Sequence, residues 1–107
     1  MMNSTALIVD DRTYERLVET ERLVLLLFST DWCVAGKVIY PTLERLAEEY
    51  VTLTVATIDA GRSETARQQC HIETVPTTIL FDRGEVVGGF AGTVPYPKLA
   101  REIERYV

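Results

Sequence analysis

The chain has 107 residues, which is enough for one compact domain and too short for two separate cores. Hydrophobic residues make up 47% and charged residues 25%, the balance of a folded domain rather than a disordered chain. The net charge of −5 argues against a surface for nucleic acid or anionic membranes. The longest apolar run, Leu23 to Phe28, is far shorter than the roughly 20 residues of a membrane-spanning helix. The sequence therefore predicts a single domain over residues 1–107, with no nucleic-acid and no membrane partner.

The N-terminal residues and the cysteine content indicate a cytoplasmic protein. Asp10, Asp11 and Arg12 interrupt the first apolar stretch, so no signal peptide is recognised. Two cysteines, Cys33 and Cys70, are too few for a disulfide framework. One disulfide between them stays open, whereas a reducing compartment favours two free thiols. A single histidine leaves too few ligands for a structural zinc site, and we expect neither a metal nor a cofactor.

The hydrophobic periodicity alternates between that of a strand and that of a helix along the chain. It predicts these elements in order: a strand at 6–9, a helix at 12–20, a fully buried strand at 23–28, a long helix at about 34–50, a strand at 52–59, a short helix at 63–70 with Ser63 as N-cap, strands at 77–81 and 85–88, and a C-terminal helix with Pro97 in its first turn. In the turn between the last two strands, Gly84 should adopt a positive φ. The order βαβαβαββα predicts an α/β fold, a central mixed sheet with helices on both faces.

The junction between the buried strand and the long helix carries most of the chemistry. Trp32 and Cys33 lie there, which places the sulfur at or near a helix N-terminus. Unpaired backbone amides and the positive end of the helix dipole favour a thiolate at that place. Lys37, one helical turn later, adds a positive charge. Cys33 is therefore a candidate nucleophile, and the plainer alternative is a small buried hydrophobic residue.

Two prolines stand at unusual positions. Pro41 lies inside the long helix, where it removes one hydrogen bond and should kink the helix. Pro76, between Val75 and Thr77, directly precedes a strand rich in β-branched residues. It either begins an edge strand in the trans form or is cis, and these residues alone leave both alternatives open.

Together these features resemble the thioredoxin family over essentially the whole chain. The agreement in residue type and spacing covers Phe28-Ser29-Thr30-Asp31-Trp32-Cys33, Lys37, Pro41, Val75-Pro76-Thr77, Gly84 and Gly92. The resemblance implies a thioredoxin fold in which Cys33 is the nucleophile of thiol–disulfide exchange. It further implies that Pro76 is cis and faces the nucleophile, and that Val75 offers backbone hydrogen bonds to a bound peptide. Trp32 and Thr77 would complete this peptide-binding surface.

Two departures from the family pattern bear on the activity. Thioredoxins have Trp-Cys-Gly-Pro-Cys-Lys, whereas this chain has Trp-Cys-Val-Ala-Gly-Lys, so that Gly36 stands where the family has its resolving cysteine. Leu27 stands where the family has a buried acid, and a leucine cannot move protons. The resemblance therefore implies that the usual dithiol reduction is not available to this chain.

Two hypotheses follow from these residues. In the first, the chain is a monothiol oxidoreductase of cell redox homeostasis: Cys33 forms a mixed disulfide with a protein or peptide, and glutathione, a second protein or Cys70 releases it. For Cys70 the alternative is simple packing against the sheet. In the second, the chain is a redox-inactive binding or chaperone-like module that uses the groove around Trp32 and Pro76. Iron–sulfur binding with glutathione is a weaker alternative, because the sequence around Cys33 lacks the pattern of monothiol glutaredoxins.

Overall fold

The computed structural model describes residues 6–30 and 33–107. Within these residues five strands and four helices follow one another in the order β1 (Leu7–Val9), α1 (Tyr14–Thr20), β2 (Leu23–Ser29), α2 (Val34–Glu49), β3 (Leu53–Asp59), α3 (Glu64–Gln69), β4 (Thr77–Asp82), β5 (Glu85–Ala91) and α4 (Tyr96–Glu104). The strands form one sheet in the order β1-β3-β2-β4-β5. Because β2 pairs in parallel with β3 and antiparallel with β4, the sheet is mixed. The predicted α/β class and the element order βαβαβαββα are confirmed.

The central strand β2 is covered on both faces. Its residues from Leu23 to Phe28 are all apolar, and none of them is more than 2% exposed. Side chains alternate along a strand, so Leu25 and Leu27 belong to the core that packs against α2 and α4. Leu26 and Phe28 belong to the core on the opposite face, against α1 and α3. The uninterrupted apolar run thus indicates burial on two faces, as the sequence predicts.

The longest helix, α2, continues through its internal proline. Pro41 is exposed, so the backbone donor that it lacks is missing from the solvent side of the helix. The buried residues of α2 recur at helical spacing on the other side: Gly36, Ile39, Leu43 and Leu46. Packing of this side on the sheet holds the two halves of the helix together. Neither α2 nor any other helix of the described residues combines the length and the apolar character that a membrane span requires.

The hairpin of β4 and β5 closes the sheet with a tight turn. Gly84 has a φ of 86°, as predicted, and Arg83 before it has a φ of 52°. Two successive left-handed residues give the turn whose twist matches that of the flanking strands. The predicted end of β5 at residue 88 is wrong, because the strand continues to Ala91 through Gly88 and Gly89. These glycines pair with β4, and the ring of Phe90 lies against the open side of Gly88.

The beginning of α3 differs in one detail from the prediction. Ser63 occupies the N-cap position, but its side chain makes no capping hydrogen bond. The carboxylate of Asp11 accepts instead from the backbone N–H groups of Thr65 at 3.2 Å and Ala66 at 2.8 Å. The cap therefore comes from a residue that is distant in sequence, and a search for local capping patterns cannot find it.

Candidate active site

The candidate nucleophile lies where β2 leads into α2. Cys33 is the N-cap residue of α2, with an extended backbone of φ −83° and ψ 103°. Its Sγ accepts a hydrogen bond from the Gly36 N–H at 3.3 Å, and its carbonyl accepts from the Lys37 N–H at 3.3 Å. Sulfur thus takes the place of the oxygen in an ordinary helix cap. A backbone donor and the positive end of the helix point at the atom that would carry the charge of a thiolate.

The loop before β4 lies beside this junction. Phe28 of β2 pairs antiparallel with Thr77 of β4, so the chain leaving β2 and the chain entering β4 meet at one edge of the sheet. The Val75–Pro76 peptide bond is cis, one of the two alternatives that the sequence leaves open. Pro76 is buried, and its carbonyl accepts from the Gly92 N–H at 2.8 Å. This bond ties the loop to the end of β5.

A cleft of about 230 Å³ has residues of both segments in its lining, Thr30 and Val75. The carbonyl of Thr30 accepts from the Cys33 N–H at 3.1 Å. Val75 is 37% exposed, and across residues 6–30 and 33–107 its backbone N–H and carbonyl make no hydrogen bond. An exposed residue with unpaired backbone groups is what a bound peptide needs for main-chain pairing.

A side chain at position 36, in the first turn of α2, would meet Ser29. A Cβ built on Gly36 would overlap Ser29 Oγ and would lie 3.0 Å from Ser29 Cβ and 3.5 Å from Cys33 Sγ. The Ser29 hydroxyl therefore fills the space that a side chain at this position would take, beside the nucleophile. Sequence reasoning did not select Ser29 as a functional residue, because a serine at a strand end has no pattern of its own.

A cavity of about 530 Å³ lies between α2 and strands β2 and β3. Its lining consists of Leu27, Ser29, Thr30, Gly36, Lys37, Tyr40 and Thr57. Leu27 is 2% exposed and packs in the core on the α2 side of the sheet. In the described part of the chain no carboxylate borders this cavity. Of the described residues, Leu27 and not an acid borders the cavity on the β2 side, opposite Gly36 of α2.

Cys70 lies elsewhere in the fold. It is the C-cap residue of α3 and packs with the core on the α1 and α3 face of the sheet. Cys70 lines two clefts. His71 also lines the first of them and Tyr14 the second, and Cys33 lines neither. Burial raises the pKa of the Cys70 thiol to about 11. Both cysteines are free, and Cys70 has the surroundings that the packing alternative predicts.

The described residues thus bring most of the predicted site together in two segments. Cys33, Gly36 and Lys37 form the first turn of α2 and its cap, and Val75, Pro76 and Thr77 form the loop beside it. Trp32, predicted to cover the peptide-binding surface, and its neighbour Asp31 lie outside the described residues. Among the residues that are described, no group of three His, Cys, Asp or Glu side chains is arranged to hold a metal ion.

The sheet order, the cysteine that caps α2 and the proline loop beside it define a thioredoxin-fold protein with a single cysteine at the N-terminus of α2. The sequence profile of the family described as Thioredoxin matches residues 5–105. The chain belongs to the thioredoxin family. Thiol–disulfide oxidoreduction, with protein thiols and disulfides as partners, is the general activity that this membership supports.

Known relatives and solved structures agree with this assignment. The chain is 30% identical to thioredoxin C-2 of Corynebacterium nephridii over 108 residues, which cover 99% of this chain and 100% of the relative. It is 32% identical to a thioredoxin of Sus scrofa over 72 residues, 67% of this chain and 69% of the relative. The structure of a mutant thioredoxin from Halobacterium salinarum superposes with a TM-score of 0.88 at 29% identity, over 99% of this chain and 95% of the other.

Proposed function

We propose that this chain carries out thiol–disulfide exchange by a monothiol mechanism in which Cys33 is the nucleophile. The observation that carries the proposal is the cap of α2, where the Gly36 N–H donates to Cys33 Sγ at 3.3 Å. A donor held at the sulfur stabilises the thiolate both when it attacks and when it leaves. The N–H of Cys33 donates to the carbonyl of Thr30, and Thr30 lines the same cleft as the exposed residue Val75.

The first exchange joins Cys33 to its partner. The Cys33 thiolate attacks one sulfur of a protein disulfide, a new S–S bond forms, and the other sulfur of the partner leaves as a thiolate. The product is a mixed disulfide between Cys33 and the partner. A bound peptide would pair with the free backbone groups of Val75, which sets the register of the attacked sulfur.

An external thiol completes the cycle. The position that faces Cys33 within α2 is Gly36, and Cys70 packs on the other face of the sheet. A thiolate of glutathione or of a second protein attacks the Cys33 sulfur and releases the remaining partner thiol. A second external thiolate then attacks the new mixed disulfide, so that Cys33 returns to the thiolate and the two external thiols leave as one disulfide. In sum, one protein disulfide is reduced to two thiols and two external thiols are oxidised.

The stoichiometry of product tests this mechanism. We expect a disulfide-containing peptide to give one adduct per chain, located at Cys33, when no other thiol is present, and continued turnover once glutathione is added. Cys33→Ser should abolish both the adduct and the turnover, and the matched change Cys70→Ser should retain both. Peptide mass spectrometry locates the adduct. Turnover that persists in Cys33→Ser would refute the proposal.

The binding-module hypothesis makes the opposite prediction for the same variants. If the groove serves binding alone, Cys33→Ser keeps its partners in a pull-down, whereas Val75→Asp loses them because a charge stands on the exposed side of the cleft. Partners that depend on Cys33 and are released by reductant support the monothiol mechanism instead.

A further inference from the structure

We propose that the cavity behind Gly36 binds a small thiol that carries a carboxylate, and that this thiol releases Cys33 from its mixed disulfide. The inference rests on the proposed monothiol function and names the class of external thiol that completes it.

The size of the cavity suits a small molecule. Its volume of about 530 Å³ falls within the range of about 300–1,000 Å³ that is typical of ligand sites. The cleft beside Val75, by contrast, has about 230 Å³ and presents backbone groups along an exposed edge. The two openings therefore differ in what they accommodate: a whole small ligand in the first and a length of extended chain in the second.

The lining of the cavity favours an anion with several hydrogen-bonding groups. Three residues of the lining, Ser29, Thr30 and Thr57, carry a hydroxyl group, and Lys37 is the one residue among the described lining that carries a charge at neutral pH. None of the ion pairs among the described residues involves Lys37. A carboxylate in the cavity would thus meet a cation that no described carboxylate neutralises.

Position 36 brings the cavity close to the sulfur. Gly36 borders the cavity, and its N–H donates to Cys33 Sγ at 3.3 Å. The Ser29 hydroxyl lies beside Gly36, and its hydrogen bond to the Thr30 carbonyl is long, at 3.4 Å. Rotation about one side-chain bond therefore moves this hydroxyl away from Gly36, on the side where the cavity approaches the sulfur.

A thiol that enters by this route reaches the Cys33 sulfur rather than the sulfur of the partner. Its thiolate attacks Cys33 Sγ, a bond forms between the two, and the partner sulfur leaves with the electron pair of the broken S–S bond. The small thiol is therefore first found on Cys33. A second small thiolate then regenerates the Cys33 thiolate and yields the small disulfide.

The test starts from a methyl mixed disulfide on Cys33, made with methyl methanethiosulfonate in the Cys70→Ser chain. This adduct forms without any protein substrate, so the result does not depend on the trapping experiment above. Three thiols of similar size act on it: 3-mercaptopropionate, 2-mercaptoethanol and cysteamine, which are anionic, neutral and cationic. Quenched samples are analysed by mass spectrometry for the rate and for the first product.

Lys37→Met and Lys98→Met give the matched comparison of charge. Both remove a lysine, but Lys98 lies on α4 and outside the cavity lining. We expect the ratio of the rates with 3-mercaptopropionate and cysteamine to fall about threefold in Lys37→Met and to stay unchanged in Lys98→Met, since an exposed charge pair contributes modestly. Intrinsic differences between the two thiols cancel in this comparison.

Thr57 gives the matched comparison of volume. Thr57→Met fills the cavity and should slow all three thiols at least about threefold, whereas Thr54→Met places the same side chain on β3 outside the cavity lining and should leave the rates within about twofold of the parent rate. Equal rate ratios in the two lysine variants, or undiminished rates in Thr57→Met, would overturn the proposal and leave a protein thiol entering by the Val75 cleft as the resolver. If the cavity variants behave as expected but no peptide disulfide is attacked, the small-thiol site stands and the proposed function fails.

Discussion

The two cysteines of this chain occupy opposite ends of two helices. Cys33 caps the N-terminus of α2, where the Gly36 N–H points at its sulfur. Cys70 caps the C-terminus of α3, where its own N–H donates to the carbonyl of Ala66 and its side chain packs into the core. Both residues are partly buried, and burial raises the pKa of the Cys70 thiol to about 11. The backbone groups around the two sulfurs differ as well.

The comparison teaches that the fold gives the two thiols different surroundings, a helix N-terminus for Cys33 and a buried helix C-terminus for Cys70. At a helix N-terminus unpaired N–H groups favour a negative charge, and at a C-terminus unpaired carbonyls disfavour it. The sheet places the first position at the edge where β2 and β4 meet the proline loop, and the second on the opposite face among apolar side chains. The proposed function therefore uses the first thiol, and the second packs with the core.

The largest expected effect is the difference in alkylation between the two thiols. Burial raises the Cys70 pKa from 9.0 to about 11, so that near neutral pH its thiolate is about a hundredfold scarcer than in an ordinary cysteine. Iodoacetamide at pH 8 should modify Cys33 at least about a hundredfold faster, as read by peptide mass spectrometry. In urea the two rates should become equal. Rapid modification of Cys70 in the folded chain would contradict the comparison.

A double-mutant cycle tests the contact between Ser29 and Gly36 beside Cys33. Gly36→Ala should lower the free energy of unfolding by about 1 kcal/mol or less, because the Ser29 hydroxyl must rotate away from the new Cβ. In the Ser29→Ala background most of this loss should disappear, a coupling of about 1 kcal/mol. Urea unfolding of the four chains measures it. Strictly additive changes would show that Ser29 does not occupy the space at Gly36.

Much of this contrast was predictable from the sequence. The apolar run of β2 and the helical repeat of α2 predict the strand-to-helix junction, and this junction alone places Cys33 at a helix N-terminus. The positive φ at Gly84 follows in the same way from local turn chemistry. These features depend on neighbours within a few residues, which a single sequence displays.

The remaining features depend on contacts between distant segments. Ser29 meets Gly36 only after β2 and α2 have packed, and Asp11 caps α3 only after β1 and β3 have paired. The cavity beside Thr57 likewise arises from three elements that meet in space. No local pattern marks such residues, because their role comes from the tertiary structure rather than from their own segment.

The distant cap of α3 gives a smaller prediction for the Cys70 side. Asp11→Ala should lower the free energy of unfolding by about 1 kcal/mol, since two N–H groups of the first turn lose their acceptor. Asp11→Asn keeps an acceptor oxygen and should retain part of the stability that the cap contributes. Ser63→Ala should cost less than Asp11→Ala, because the Ser63 hydroxyl makes no capping bond. Chemical denaturation measures all three. A larger loss in Ser63→Ala would contradict the assignment of the cap.

The last expected effect is the pH dependence of stability that Cys70 adds. Its pKa in the folded chain, about 11, lies above the ordinary value of 9.0, so folding favours the protonated thiol. This contribution is complete below about pH 9 and is lost as the pH rises toward 11. Tyr14, whose pKa burial raises to about 12, gives a change of the same sign at higher pH. The informative quantity is therefore the difference between the parent chain and Cys70→Ala in urea unfolding from pH 8 to 11. We expect this difference to decline steadily with pH, and a constant difference would mean that the Cys70 thiol is as well solvated in the folded chain as in the unfolded one.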